Sequence, residues 1–143
     1  MYMSEYNHTI DPKGRLIIPS KFREAGGDRF TVTKGLDGCL FVYDDEGFAD
    51  FEETLKKLPM SNQSTRQAVR FFLAGAAEAE IDKQGRALIP QNLREYAGLV
   101  KDVALIGAGN HFEIWDKQRW EAYNASTDIE SNVETMSELG LSF

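Results

Sequence analysis

Two pentapeptides combine a carboxylate, a glycine and a guanidinium at fixed spacing: Asp11-Pro12-Lys13-Gly14-Arg15 and Asp82-Lys83-Gln84-Gly85-Arg86. Both read as hairpin turns. An Asp at the first position can accept hydrogen bonds from backbone N–H groups two and three residues on, Pro12 presets the backbone after it, and Gly14 and Gly85 supply a positive φ. Each arginine then begins the outgoing strand, where the nearby carboxylate can hold its planar fork in one orientation. Such a fork binds phosphate, or the O6 and N7 edge of guanine, through two N–H donors at once. Lys13 and Lys83 add charge directed at phosphate. For one isolated copy, a turn whose Asp and Arg simply pair with each other on the surface, worth at most about 1 kcal/mol, is the better explanation. Two copies favour the binding reading.

No other residue set competes. His8 and His111 are the only imidazoles and Cys39 the only thiol, so neither a zinc constellation nor an intrachain disulfide is expected, and no metal or cofactor is implied. Gly107-Ala108-Gly109 begins like a dinucleotide fingerprint, but Phe112 stands where the third glycine belongs, and a hairpin turn explains the segment better. No Ser-His-Asp pattern or nucleophile elbow is present, which argues against an enzyme. Arg23 and Arg94 sit on short helical stretches where a salt bridge fits as well as a ligand contact, and they stay outside the candidate set.

Charge distribution bears on the ligand. The net charge of −7 speaks against a polyanionic partner until it is located. Residues 44 to 53 carry Asp44, Asp45, Glu46, Asp50, Glu52 and Glu53 without a base, and residues 124 to 143 carry Asp128, Glu130, Glu134 and Glu138 likewise. The rest of the chain holds 16 basic against 13 acidic residues. Both acidic segments are therefore expected away from the turns.

The elements that position the turns follow from an internal repeat. DPKGRLIIPSKFREAGG and DKQGRALIPQNLREYAG align at an offset of 71 residues, and after one insertion Val42-Tyr43-Asp44 matches Ile114-Trp115-Asp116. Units of roughly forty residues bury too little core alone, so the copies are expected to pack about a pseudo-twofold axis. In each copy Leu16-Ile17-Ile18 or Ala87-Leu88-Ile89 reads as a short strand ending at a proline. A short helix follows, with Phe22 or Leu93 inward and Gly26, Gly27 or Gly98 available for a left-handed end. Phe30–Thr33 and Leu40–Tyr43 read as strands around Gly35-Leu36-Asp37-Gly38, with a matching pair around Gly107 to Asn110. Between the copies, Phe48, Phe51, Leu55 and Leu58 mark one amphipathic helix and residues 61 to 77 a second. The stretch from Asn124 is a weak helix or an unstructured tail. The resulting organisation is a first half over residues 1–58, a connecting helix over 59–78, a second half over 79–123 and an acidic tail over 124–143. No stretch has the length of a membrane span or the pattern of a secretory signal, so a cytoplasmic protein is expected.

The run from Tyr6 to Arg23 resembles the opening signature of the MraZ transcriptional regulators. Gly35 to Leu40, Arg70-Phe71-Phe72, Asp82 to Arg86 and Phe112 to Asp116 are similar to that family in order and spacing, over roughly residues 1 to 123. The resemblance implies an α+β fold of two β-rich, AbrB-like swapped-hairpin halves. It implies a homo-oligomeric ring, double-stranded DNA as partner, nucleoid association, and repression of the division and cell-wall gene cluster through direct repeats upstream of it. The family's DNA-contacting Asp-x-x-x-Arg motif falls on Asp11 with Arg15 and on Asp82 with Arg86. An antitoxin-type module, binding DNA through an AbrB-like half and a protein through an acidic tail, is the alternative; two turn motifs and a short tail favour the regulator.

Overall fold

Hydrogen bonding between the two copies, more than within them, decides the architecture of the computed structural model, which describes residues 1–142. The first copy supplies β1 (Glu5–Thr9), β2 (Arg15–Ile17), α1 (Ser20–Gly26), β3 (Arg29–Lys34), β4 (Leu40–Tyr43) and α2 (Asp45–Lys56). α3 (Gln63–Ala74) connects it to the second copy, which supplies β5 (Ala77–Glu80), β6 (Arg86–Leu88), α4 (Gln91–Ala97), β7 (Asp102–Gly107), β8 (Phe112–Asp116) and α5 (Lys117–Ala125), followed by α6 (Ile129–Glu138). The fold is α+β.

Six strands form one antiparallel sheet in the order β1-β7-β8-β4-β3-β5, and β2 pairs with β6 in a separate two-stranded ribbon. Exchanging the copies turns that order into itself read backwards, which is the signature of a pseudo-twofold axis between β4 and β8. The exchange is a swap of hairpin arms. β1 leaves its own copy to pair with β7, with Tyr6 opposite Leu105, and β5 crosses back to β3, with Phe30 opposite Ala79. The centre is closed by Leu40 opposite Ile114 and Val42 opposite Phe112.

Strand alternation sorts the side chains between two faces. On one face Phe30, Val32, Leu40, Val42, Val103, Leu105, Phe112 and Ile114 join Leu16, Ile18, Phe22, Ile89 and Leu93 in the main core. Phe22 of the first copy stacks on Phe112 of the second, ring centroids 4.6 Å apart, so this core belongs to neither copy alone. On the other face Phe41 and Tyr43 meet Phe48 and Phe51 of α2 and Phe72 of α3. Trp115 there packs against Trp120 of α5. The sheet thus separates the ribbon, α1 and α4 from the acidic α2.

Local signals explain most boundaries. Pro19 and Pro90 stand as the N-caps of α1 and α4. Gly98 ends α4 in the left-handed conformation, φ 66° and ψ 30°, whereas Gly27 ends α1 at φ 89° and ψ −149°, outside it. The Asp44 carboxylate caps α2 by accepting from Gly47 N–H and also accepts the Tyr2 hydroxyl at 2.6 Å. Leu58, expected on α2, lies past its end and is 40% exposed. The second connecting helix is shorter than residues 61–77: α3 spans Gln63–Ala74, and Ala77 opens β5 instead. The stretch from Asn124 contains the end of α5 and an ordered α6, whose Asp128 cap accepts from Ser131 N–H and which buries no residue. Among the described residues no helix is long and apolar enough to cross a membrane.

Candidate nucleic-acid interface

Each Asp-x-x-Gly-Arg segment closes as a hairpin loop bonded at both rims. Gly14 N–H donates to the Asp11 carbonyl at 2.9 Å and Asp11 N–H to the Arg15 carbonyl at 3.0 Å; Gly85 to Asp82 and Asp82 to Arg86 repeat the pattern at 3.0 and 2.9 Å. Gly14 and Gly85 hold φ of 89° and 79°, which an L side chain adopts only under strain. Pro12 occupies the first exposed turn position, where the second copy has Lys83.

The carboxylates do more than cap. Asp11 Oδ1 accepts from the backbone N–H of Lys13 at 3.0 Å and of Arg15 at 2.9 Å, so the second donor is four residues on and not three. Its Oδ2 accepts from Arg15 Nε at 2.7 Å. Asp82 does the same with Gln84 N–H, Arg86 N–H and Arg86 Nε, at 2.9, 2.9 and 3.0 Å. Donation from the arginine backbone N–H, more than the guanidinium itself, holds both carboxyls below the usual range. The consequence lies at the far end of the arginine. Because Nε is the anchored nitrogen, the Nη1 and Nη2 edge remains outside the clasp, and that edge can form two parallel bonds to an acceptor pair.

The two loops lie side by side because β2 and β6 pair. Arg15 is opposite Leu88, Leu16 opposite Ala87 and Ile17 opposite Arg86. Leu16 and Ala87 point into the core, 0% and 2% exposed, so alternation sends both arginines to the outward face. As diagonal neighbours on an antiparallel pair, Arg15 and Arg86 stand about 7–8 Å apart at the backbone. Lys13 and Lys83 are exposed at the loop tips and, among the described residues, form no ion pair. Lys83 aligns with Pro12 and not with Lys13, so the two ammonium groups do not share the pseudo-symmetry.

Sequence reasoning missed what holds the loops in register. The Gly85 carbonyl accepts from Ile18 N–H at 2.9 Å and the Gly14 carbonyl from Ile89 N–H at 2.8 Å. Arg23 of α1 covers Gly85 and Arg94 of α4 covers Gly14. Among the described residues neither arginine makes a salt bridge: Arg23 Nε donates to the Ile18 carbonyl at 3.0 Å, and Arg94 Nε is buried without a protein acceptor. Both are positioning residues for the turn of the opposite copy. Their equivalent places in the repeat, with a glycine in the facing turn, were the available signal.

The remaining candidates have structural places. Ala108 N–H donates to the His111 carbonyl at 2.9 Å in a hairpin between β7 and β8, so the Gly107 segment is a turn. His111 stacks on Tyr43, and Cys39 is fully buried with Sγ 3.2 Å from the Leu36 carbonyl.

Comparison with known proteins agrees with the repeat. A sequence model for the family described as "MraZ protein, putative antitoxin-like" matches residues 1–71 and again residues 72–140, which carries the likeness through the tail beyond residue 123. The chain is 54% identical over 143 residues to a protein of Acetivibrio thermocellus named "Transcriptional regulator MraZ", covering 99% of this chain and 100% of the relative. Proteins of the same name from Lachnoclostridium phytofermentans and Clostridium tetani are each 55% identical, over 143 and 142 residues, covering 100% and 99% of this chain and all of each relative.

Proposed function

The chain belongs to the MraZ family, a family of transcriptional regulators and not of enzymes, and from that premise we propose that it represses transcription by inserting the β2–β6 ribbon into the DNA major groove. Arg15 and Arg86 present their Nη edges to guanine O6 and N7, Asp11 and Asp82 hold them, and Lys13 and Lys83 engage phosphate. Gly14, Gly85 and Pro12 shape the loops. A two-stranded ribbon is of a size the major groove admits, and readers of this kind are an established docking class.

The observation that carries this reading is the duplicated Asp–Arg clasp on one outward face. The placement of acidic α2 across the sheet supports it, because carboxylates beside the ribbon would cancel its attraction for phosphate. Family membership supports the finer points. These are a ring-shaped homo-oligomer in the cytoplasm, associated with the nucleoid, that binds direct repeats upstream of the division and cell-wall gene cluster. An antitoxin-type role is the second reading, and the exposed acidic α6 is the feature that favours it.

A gel-shift titration against the DNA upstream of the chain's own gene tests the assignment. Arg15→Ala and Arg86→Ala should each weaken specific binding by about 1 to 3 kcal/mol while leaving the melting curve unchanged. Unaltered affinity in both folded variants overturns it.

A further inference from the structure

The outward face of the ribbon holds four side chains, and the two arginines are only half of them. In β2 and β6 the residue after the buried position points out again, which places Ile17 beside Arg15 and Leu88 beside Arg86 along the strands. The register crosses these pairs, setting Ile17 opposite Arg86 and Leu88 opposite Arg15. Each aliphatic position is therefore adjacent to both arginine positions on the ribbon. Ile17 is 44% and Leu88 57% exposed, while their chain neighbours Leu16, Ile18, Ala87 and Ile89 are all buried to 2% or less.

One exposed aliphatic needs no explanation. Two at equivalent places in the repeat, within a cationic face, call for a ligand surface that is polyanionic yet carries an apolar group at the same depth as its hydrogen-bond acceptors. A protein or membrane partner would not need the oriented forks, and bare phosphate would not need the aliphatics. Among the base edges of the major groove only thymine offers such a group, its C5-methyl.

Resting on the DNA reading above, we propose that Ile17 and Leu88 are specificity-determining residues that pack against thymine C5-methyl groups beside the guanines bound by Arg15 and Arg86. Spacing on the ribbon sets the pattern in the operator. Directly opposite side chains have Cβ atoms about 4.5–5.5 Å apart, and successive base pairs rise about 3.4 Å. Each contacted thymine thus lies within about one or two base pairs of a contacted guanine. Alanine at either position keeps the arginine contacts but removes the aliphatic surface.

The test uses the full chain and one duplex from upstream of its own gene, prepared with thymine or with deoxyuridine throughout. Wild type should bind the deoxyuridine duplex more weakly, by roughly fourfold for each methyl group that Ile17 or Leu88 covers. The Ile17→Ala/Leu88→Ala double variant should bind both duplexes alike. Arg15→Ala should weaken both and keep most of the thymine preference, since Ile17 and Leu88 remain. Equal binding of the two duplexes by wild type overturns the inference. So does an equal loss in wild type and double variant, which would assign the methyl effect to DNA stiffness. A double variant that assembles differently by sedimentation and loses both duplexes equally also overturns it, because the face is then a contact between copies. Arg15→Ala reports separately on the underlying reading: if it binds like wild type, DNA recognition by the turns itself falls.

Discussion

Arg94 lies across Gly14, the turn glycine of the other copy, so closely that a Cβ built there would stand 2.8 Å from its guanidinium carbon and 2.8 Å from the Ile89 carbonyl oxygen. Arg23 covers Gly85 in the same way, at 3.0 Å. Each turn is thereby roofed by a helix from the opposite half, so the surroundings of each turn are built by both copies.

Replacing the turn glycines should separate backbone strain from crowding. Both Gly14→Ala and Gly85→Ala force an L side chain to a positive φ, a cost of about 1–3 kcal/mol. At Gly85 the facing atoms belong to a flexible guanidinium, whereas at Gly14 one is the backbone carbonyl of Ile89, just past β6, which cannot retreat without moving the chain. Denaturant unfolding should show the larger loss for Gly14→Ala. Equal losses would show that φ alone sets the cost.

The clasp can be loosened without removing the turn. In Asp11→Asn the amide oxygen still accepts from the Lys13 and Arg15 N–H groups, but the second position can become a donor facing Arg15 Nε. The variant should fold and bind specific DNA several-fold more weakly, while binding unrelated DNA as wild type does. Arg15→Lys, which has no fork to anchor, should behave alike.

The carboxyl environment fixes the pH response. Asp11 and Asp82 titrate below the ordinary carboxylate value in the folded chain, so their contribution is complete above about pH 4 and disappears as pH falls through the lower folded values. Specific binding at constant ionic strength should be flat from about pH 5 to 8. A transition near pH 6 would mean that an imidazole, and not the clasp, controls the site.

Much of the fold was legible because its signals are local. Gly35 to Gly38 and the residues around Gly109 announce hairpins, Phe22 and Leu93 are the apolar positions of short helices, and the repeat supplies the symmetry. Pairing across copies was not legible. Ala77-Glu78-Ala79-Glu80 has composition suited to a helix, and it is a strand because β3 of the other half offers it a free edge, Arg29 opposite Glu80. The same nonlocality hid the placement of Arg23 and Arg94. In the site, spacing located the Asp and Arg of each turn, but three-residue strands are too short for periodicity to reveal that Ile17 and Leu88 face outward.

Removing residues 128–143 should leave the folded core unchanged. α6 buries no side chain, and the deletion takes away Asp128, Glu130, Glu134 and Glu138. Melting should move by no more than about 2 °C, and DNA affinity should stay equal or rise, most visibly at low salt. A large loss of binding by folded, assembled protein would place the tail in the site.

Spacing within the operator tests the assembly. One ribbon offers two arginines and two lysines on a chain of net charge −7, a small phosphate-binding capacity for a transcriptional regulator. In the proposed ring the ribbons would recur at fixed intervals, so that once one is bound the next contact forms at high effective concentration. Ribbons on one face of a duplex meet the same groove about every 10 base pairs, and head-to-tail subunits match direct repeats where an isolated twofold dimer would match a palindrome. Inserting about 5 base pairs between two repeats turns one of them to the opposite face. Affinity and the steepness of its salt dependence should then both fall, because fewer phosphates are neutralised at once. Inserting about 10 base pairs should restore part of the affinity, since the face is right but the interval is longer. Binding as tight with 5 added base pairs as with none, or as tight in an assembly-deficient variant as in wild type, would show that a single ribbon suffices.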